Sequence, residues 1–205
     1  MYNDKYLKPT FFIDSDSEKI KTMANNLESS SNSKKELSIQ TFEFVRDNIP
    51  YTIKDFQIDS RARFKASSVL DAQRGFCITK SILLVALLRA NNIPARLHFA
   101  DIINHRSTQH FRELMGGTNV FIFHGYAEVF LDKWYKLTPS FESSLCKKHD
   151  YPLCVFTGTN DAILKTHDLK GRLFVDYIKD RGVYADLPFD DMVQAFLEFY
   201  GPLLS

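Results

Sequence analysis

Residues 75–90 read Gly-Phe-Cys-Ile-Thr-Lys-Ser-Ile-Leu-Leu-Val-Ala-Leu-Leu-Arg-Ala, and from Ile82 to Leu88 the run is solidly apolar. A helix that is hydrophobic nearly all round belongs at the centre of a domain, packed on every side. The run is far short of the roughly 20 residues that cross a bilayer. The pattern predicts a buried helix over Phe76 to Arg89, stopped by Asn91-Asn92-Ile93-Pro94. Cys77 opens it. A helix N-terminus carries unsatisfied N–H groups and about half a unit of positive charge. A cysteine there is expected to have a lowered pKa, and its own N–H is placed to hold an oxyanion. The plain alternative for Cys77 is a small buried hydrophobe.

Beyond this helix the period changes. Ala95 to Ala100 alternates and reads as a strand, as does His124 to Leu131. Asp132-Lys133 makes a turn, and Trp134 to Thr138 reads as a third strand ended by Pro139. The segment 101–119 is long and polar with a Gly116-Gly117 pair, the kind of loop that carries function or motion. His124 heads the best strand, directly after that loop, where an imidazole can face a cleft and act as base to a thiol. Upstream, Asp14, Ser15 or Asp16 caps a helix running through Leu27, and Ser29 to Ser33 forms a loop. A second helix spans Lys34 to Asp47 and ends at Ile49-Pro50. Residues 51–74 read as a solvated loop. The tail after 140 is irregular until Asp190 or Asp191 caps a last helix through Phe199 to Gly201. Helices, one central helix and then an antiparallel run make an α+β pattern.

Composition narrows the function. Of 205 residues, 26 are Lys or Arg and 25 are Asp or Glu, a net charge of +1, so a strongly basic nucleic-acid binder is excluded as the default. Eighteen Phe and nine Tyr within a 44% hydrophobic chain supply a real core. Three cysteines, Cys77, Cys146 and Cys154, are too few for a disulfide framework and point to a reducing compartment. Met1 to Thr10 lacks a signal-peptide pattern. The expectation is a cytoplasmic protein with no membrane or nucleic-acid partner. Cys146 and Cys154 with His149 offer only three ligands at close spacing and no Cys-x-x-Cys pair. No metal and no cofactor are expected.

Several stretches in order resemble the bacterial transglutaminase-like family, within the papain-like cysteine enzymes. They are Ser67 to Leu70, Gly75-Phe76-Cys77 with Lys80, Leu88-Arg89-Ala90, Ile93 to Arg96, His124 to Val129, and Trp134 to Phe141. Val45-Arg46-Asp47 and Tyr51 are similar to the helix and aromatic before that core, and Tyr6 to Thr10 with Phe12 to Ser15 to the opening of stand-alone members. The resemblance implies one domain over 1–205, with a core of about 35–145 and extensions 1–34 and 146–205 packed on it. It implies a Cys–His–Asp site on a Cys-bearing helix packed against an antiparallel sheet. The nucleophile falls on Cys77 and the base on His124. The third position falls on Thr138, a departure from the family's Asp. A threonine hydroxyl can accept the His124 Nδ1–H bond and fix the tautomer, but it does not stabilise an imidazolium as a carboxylate does. Asp101 is the alternative third member, because the end of the first strand should lie beside the start of the second. The oxyanion would be held by the Cys77 backbone and Gln73, the latter otherwise a solvated glutamine. Lys80 either adds positive charge near a thiolate or is solvated.

The implied function is a cysteine enzyme acting on a carboxamide or peptide bond of a peptide or protein substrate through a thioester. Hydrolysis, as a peptidase or amidase, is favoured over transfer to an amine because water is always available. The rival reading is a non-catalytic binding or scaffold domain that keeps the fold.

Overall fold

The computed structural model describes residues 2–53 and 60–204. Its helices are α1 (Glu18–Glu28), α2 (Lys34–Asn48), α3 (Ala66–Ala72), α4 (Cys77–Ala90), α5 (Gln109–Leu114), α6 (Ser143–His149) and α7 (Phe189–Leu204). Its strands are β1 (Ala95–Asn104), β2 (Val120–Phe130), β3 (Trp134–Leu137) and β4 (Val175–Tyr184). Among the described residues these strands form one sheet in the order β3-β2-β1-β4, with each neighbouring pair antiparallel. The architecture is α+β, with a Cys-bearing helix on an antiparallel sheet.

Helix α4 is the centre. Every residue from Ile78 to Arg89 is buried, as its apolar circumference demands. Helices α1, α2 and α3 pack on it, and β1 and β2 also press against it. Arg89 ends it as a tie: Nε donates to the Ala95 carbonyl at 2.9 Å, and the two terminal nitrogens donate to Lys8 and Ala185 at 2.8 and 2.7 Å. One guanidinium thus joins the start of β1 to the N-terminal segment and to the bend after β4.

Three expectations are corrected by local chemistry. Helix α1 is capped by Ser17, whose side chain accepts from the Ile20 N–H, while Asp14 accepts from the Ser67 backbone and hydroxyl at the start of α3. Asp14 therefore caps a helix distant in sequence. Part of the expected solvated loop 51–74 is structured: α3 buries Ala66 and Val69, and Phe64 just before it is also buried. The rest of that reading, 54–59, lies outside the described residues. Lastly, β1 and β2 run on beyond the expected strands. Ile102 pairs with Phe121 and Ile103 with Val120, so 101–119 is the end of a long hairpin with α5 at its tip.

Because β2 starts earlier, His124 lies within the strand and not at its head. It pairs with Ala100, and the register slips between Ala100 and Ile102. Opposite the slip Phe123 has φ 53°, and its N–H donates to Asp101 at 3.0 Å. Helix α7 closes over this bulge: the Tyr200 hydroxyl accepts from Ile122 N–H at 3.0 Å, and Phe196 meets Phe123 edge-on.

Candidate active site

Cys77 is the first residue of α4. The turn before it is fixed by Thr79, whose hydroxyl accepts the Phe76 N–H at 3.0 Å. Gly75 leaves room for this cap, since a Cβ there would lie 2.6 Å from Thr79 Oγ1. Cys77 and His124 line one cavity of roughly 170 Å³, walled also by Tyr51, Phe121, Phe141 and Tyr151. The backbone N–H groups of Gly125, Ile78 and Cys77 face the sulfur.

The charge state differs from the sequence expectation. Burial pushes the Cys77 thiol up to about 11, against the pull of those three N–H groups. Desolvation of the thiolate outweighs the helix terminus. Burial likewise takes His124 down to about 4. At neutral pH the pair is therefore a thiol beside a neutral imidazole.

His124 is 4% exposed, and its Nε2 is sealed from solvent with no hydrogen-bond partner. Nδ1 is not sealed in this way, and His124 lines the cavity with Cys77. The buried nitrogen without an acceptor is Nε2, whereas the expected bond to Thr138 ran from Nδ1. Thr138 is fully buried, and its Oγ1 is likewise without a partner, as are Ser140 Oγ and the Tyr177 hydroxyl.

The other expected residues fall elsewhere. Asp101 is buried, but its carboxylate accepts from Arg181 Nε and from one terminal guanidinium nitrogen at 2.9 Å, besides Phe123 N–H. It secures the β1–β2 bulge and makes no bond to His124. Gln73 is an exposed residue in left-handed conformation (φ 51°) at the end of α3 and does not line the cavity. Lys80 is buried, and its Nζ donates to the carbonyls of Arg46 and Ser140 at 3.0 and 2.8 Å. It fastens α4 to α2 and to the segment after β3. Ser140 and Phe141 sit inside the quoted Trp134 to Phe141 stretch, so their part in the cavity had a sequence signal. Tyr177 had none, because β4 carries charged, partly exposed residues and does not alternate cleanly.

A model of the transglutaminase-like superfamily matches residues 21–139. The chain belongs to the transglutaminase-like superfamily. Among solved structures it is similar to a candidate cysteine protease from Cytophaga hutchinsonii, at 14% identity and TM-score 0.51, covering 90% of this chain and 55% of that one. It also matches a candidate protease from Parabacteroides distasonis at 20% identity and TM-score 0.42, covering 67% of this chain and 25% of that one. The periplasmic domain of TgpA from Pseudomonas aeruginosa matches at 17% identity and TM-score 0.45, covering 65% and 45%. The chain thus spans about half the length of these proteins or less, and at such identities the likeness is one of fold. No curated protein matches it.

The expected cytoplasmic location is corrected by these comparisons, since two of the matched structures are of one periplasmic domain, that of TgpA. The cysteine argument fails for a physical reason as well. The three thiols are unpaired, and Cys146 and Cys154 are buried; buried thiols are inert and do not report the redox state outside. Among the described residues no helix is long and apolar enough to cross a membrane.

Proposed function

We propose that this superfamily member is a cysteine enzyme that cleaves a carboxamide or peptide bond through a thioester. The carrying observation is that Cys77, at the start of the buried helix, and His124 open on one cavity while backbone N–H groups face the sulfur. In this reading His124 Nδ1 takes the thiol proton as sulfur attacks the carbonyl carbon. The Cys77 N–H receives the developing oxyanion. The C–N bond then breaks, and the imidazolium gives its proton to the leaving amine. Water, deprotonated by the same imidazole, attacks the thioester and releases a carboxylate and the free thiol. Gln73 has no part in it, because it is exposed and off the cavity.

The test compares wild type with Cys77→Ala on a proteome-derived peptide library read by mass spectrometry. New carboxyl termini, or Gln and Asn side chains converted to acids, are expected with wild type alone. Equal products from both proteins would overturn the reading. A rival reading, a binding domain without turnover, draws on the unpartnered Nε2 of His124 and the raised thiol. It predicts that neither protein changes any peptide and that both retain the same ones.

A further inference from the structure

Among the described residues, five buried side-chain nitrogen or oxygen atoms lack a hydrogen-bond partner: Arg106 Nε, His124 Nε2, Thr138 Oγ1, Ser140 Oγ and Tyr177 OH. Tyr177 meets the His124 ring, Ser140 lines the same cavity as His124, and Thr138 lies near Tyr177. Leaving such an atom unpaired is costly, so a cluster of them calls for a functional explanation.

The sheet explains how they meet. His124 and Tyr126 are two apart on β2 and share a face. Ala127 pairs with Leu137, so the next step of that register puts Thr138 opposite Tyr126. Across the sheet, Ala100 of β1 pairs with His124 and Ile102 with Tyr177. The rings close the arrangement. His124 and Tyr177 have centroids 6.2 Å apart at 69°, Tyr126 and Tyr177 6.2 Å at 84°, and His124 and Tyr126 6.4 Å at 30°. The Thr138 hydroxyl and the Leu164 N–H lie near enough to the Tyr177 oxygen to lower its pKa against burial, though neither makes a well-formed hydrogen bond to it.

We propose that Tyr177 is a positioning residue for His124, joined to it through Thr138 in a chain of hydroxyls that stands where the family has a carboxylate. In the structure these three atoms have no hydrogen-bond partner; side-chain rotation closes the relay, with His124 Nε2–H donating to Thr138 Oγ1 and Thr138 O–H donating to the Tyr177 oxygen. Donors in series polarise one another, so Thr138 becomes a better acceptor than an isolated threonine. The chain keeps the proton on Nε2 and leaves the Nδ1 lone pair toward the cavity. Its members are neutral, so it fixes the tautomer without strongly stabilising an imidazolium. That agrees with the low pKa of His124, about 4. The inference rests on the reading of His124 as the base.

The experiment separates the two. Long-range proton–nitrogen correlation on protein with 15N-labelled histidine reads the tautomer of His124 without any substrate, the signal being assigned by its loss in His124→Gln. Wild type is expected to show a single Nε2–H form at pH 7. Tyr177→Phe keeps the ring and removes the hydroxyl. It is expected to give mixed tautomers at His124, and a kcat at least tenfold lower with KM unchanged on any peptide substrate found. Thr138→Val, which removes the link itself, should do the same. Thr138→Asp in the Tyr177→Phe background should restore the Nε2–H form and raise the pKa of His124. An Nδ1–H tautomer in wild type overturns the relay. So does an unchanged Nε2–H form in both Tyr177→Phe and Thr138→Val at unaltered melting temperature. Absence of turnover in wild type with the tautomer behaving as expected would count against the enzyme reading alone.

Discussion

Gly125 lies so close to Ile78 that a methyl group on it would come within 2.9 Å of the Ile78 Cα and 3.2 Å of the Phe99 ring. Ile78 follows Cys77 and Gly125 follows His124, so this one backbone contact sets the spacing of the candidate dyad. A backbone atom on a buried helix has no rotamer by which to yield. Gly125→Ala is therefore expected to push β2 off α4 and to lower stability by about 1–3 kcal/mol, the usual cost of overpacking. Urea denaturation measures that. Turnover per folded molecule should fall by at least about tenfold, since small displacements of reacting groups are costly. Unchanged stability and turnover would show that the contact is not what holds the two residues together.

The thiol of Cys77 stands at about 11 and the imidazole of His124 at about 4. Only the thiolate reacts with iodoacetamide. Its fraction rises tenfold per pH unit until the thiol titrates. Labelling of Cys77, followed by mass spectrometry of its peptide, is therefore expected to climb steadily from pH 6 to 9. A thiolate–imidazolium pair would instead give a plateau across neutral pH, and such a plateau would refute the neutral resting state. Cys146 and Cys154 stand at about 11 and about 12 and are buried. They should label more slowly than Cys77 at every pH.

The part of the molecule legible in the sequence is the part that local periodicity dictates. The unbroken apolar run of α4 made its burial unavoidable, and the alternation after Ala95 and after His124 marked the two central strands. The site is legible as far as a Cys opening a buried helix and a His on a strand. What escaped depends on contacts distant in sequence. The pKa of Cys77 is decided by how deeply it is covered, and no local pattern reports that. Asp101 lies beside β2 as expected, yet Arg181, eighty residues on, claims its carboxylate. Strand β4 lies at the sheet edge, where exposed charged residues break alternation, and Tyr177 was hidden with it.

Asp101 faces a guanidinium and a backbone N–H, with only 5% of its surface exposed. Asp101→Asn keeps the shape and removes the charge, leaving Arg181 without its counter-ion. The expected loss is about 1–3 kcal/mol of stability, the range for a buried polar group deprived of its partner, measured by urea denaturation. The His124 tautomer and the pH profile of activity should not move. A displaced pH profile at unchanged stability would restore Asp101 as the group behind the histidine.

Lys80 carries a pH signature of its own. Burial takes its pKa from 10.5 to about 7, opposed by the nearby Glu142 and Asp47 carboxylates. Between those values the unfolded chain holds a proton that the folded chain has released. Stability therefore rises with pH across that window, by at most about 1.4 kcal/mol per pH unit. The contribution is complete above 10.5 and lost as pH falls through 7. The raised thiols act in the opposite sense, but only once pH exceeds their unfolded value of 9.0. Urea denaturation between pH 7 and 9 isolates the lysine. Lys80→Met removes the titration and leaves the Arg46 and Ser140 carbonyls without that donor. The gap in stability between wild type and Lys80→Met should widen in favour of wild type as pH rises from 7 to 9. Parallel curves would mean that Lys80 stays charged in the fold, held by Glu142 and Asp47 more strongly than burial expels it.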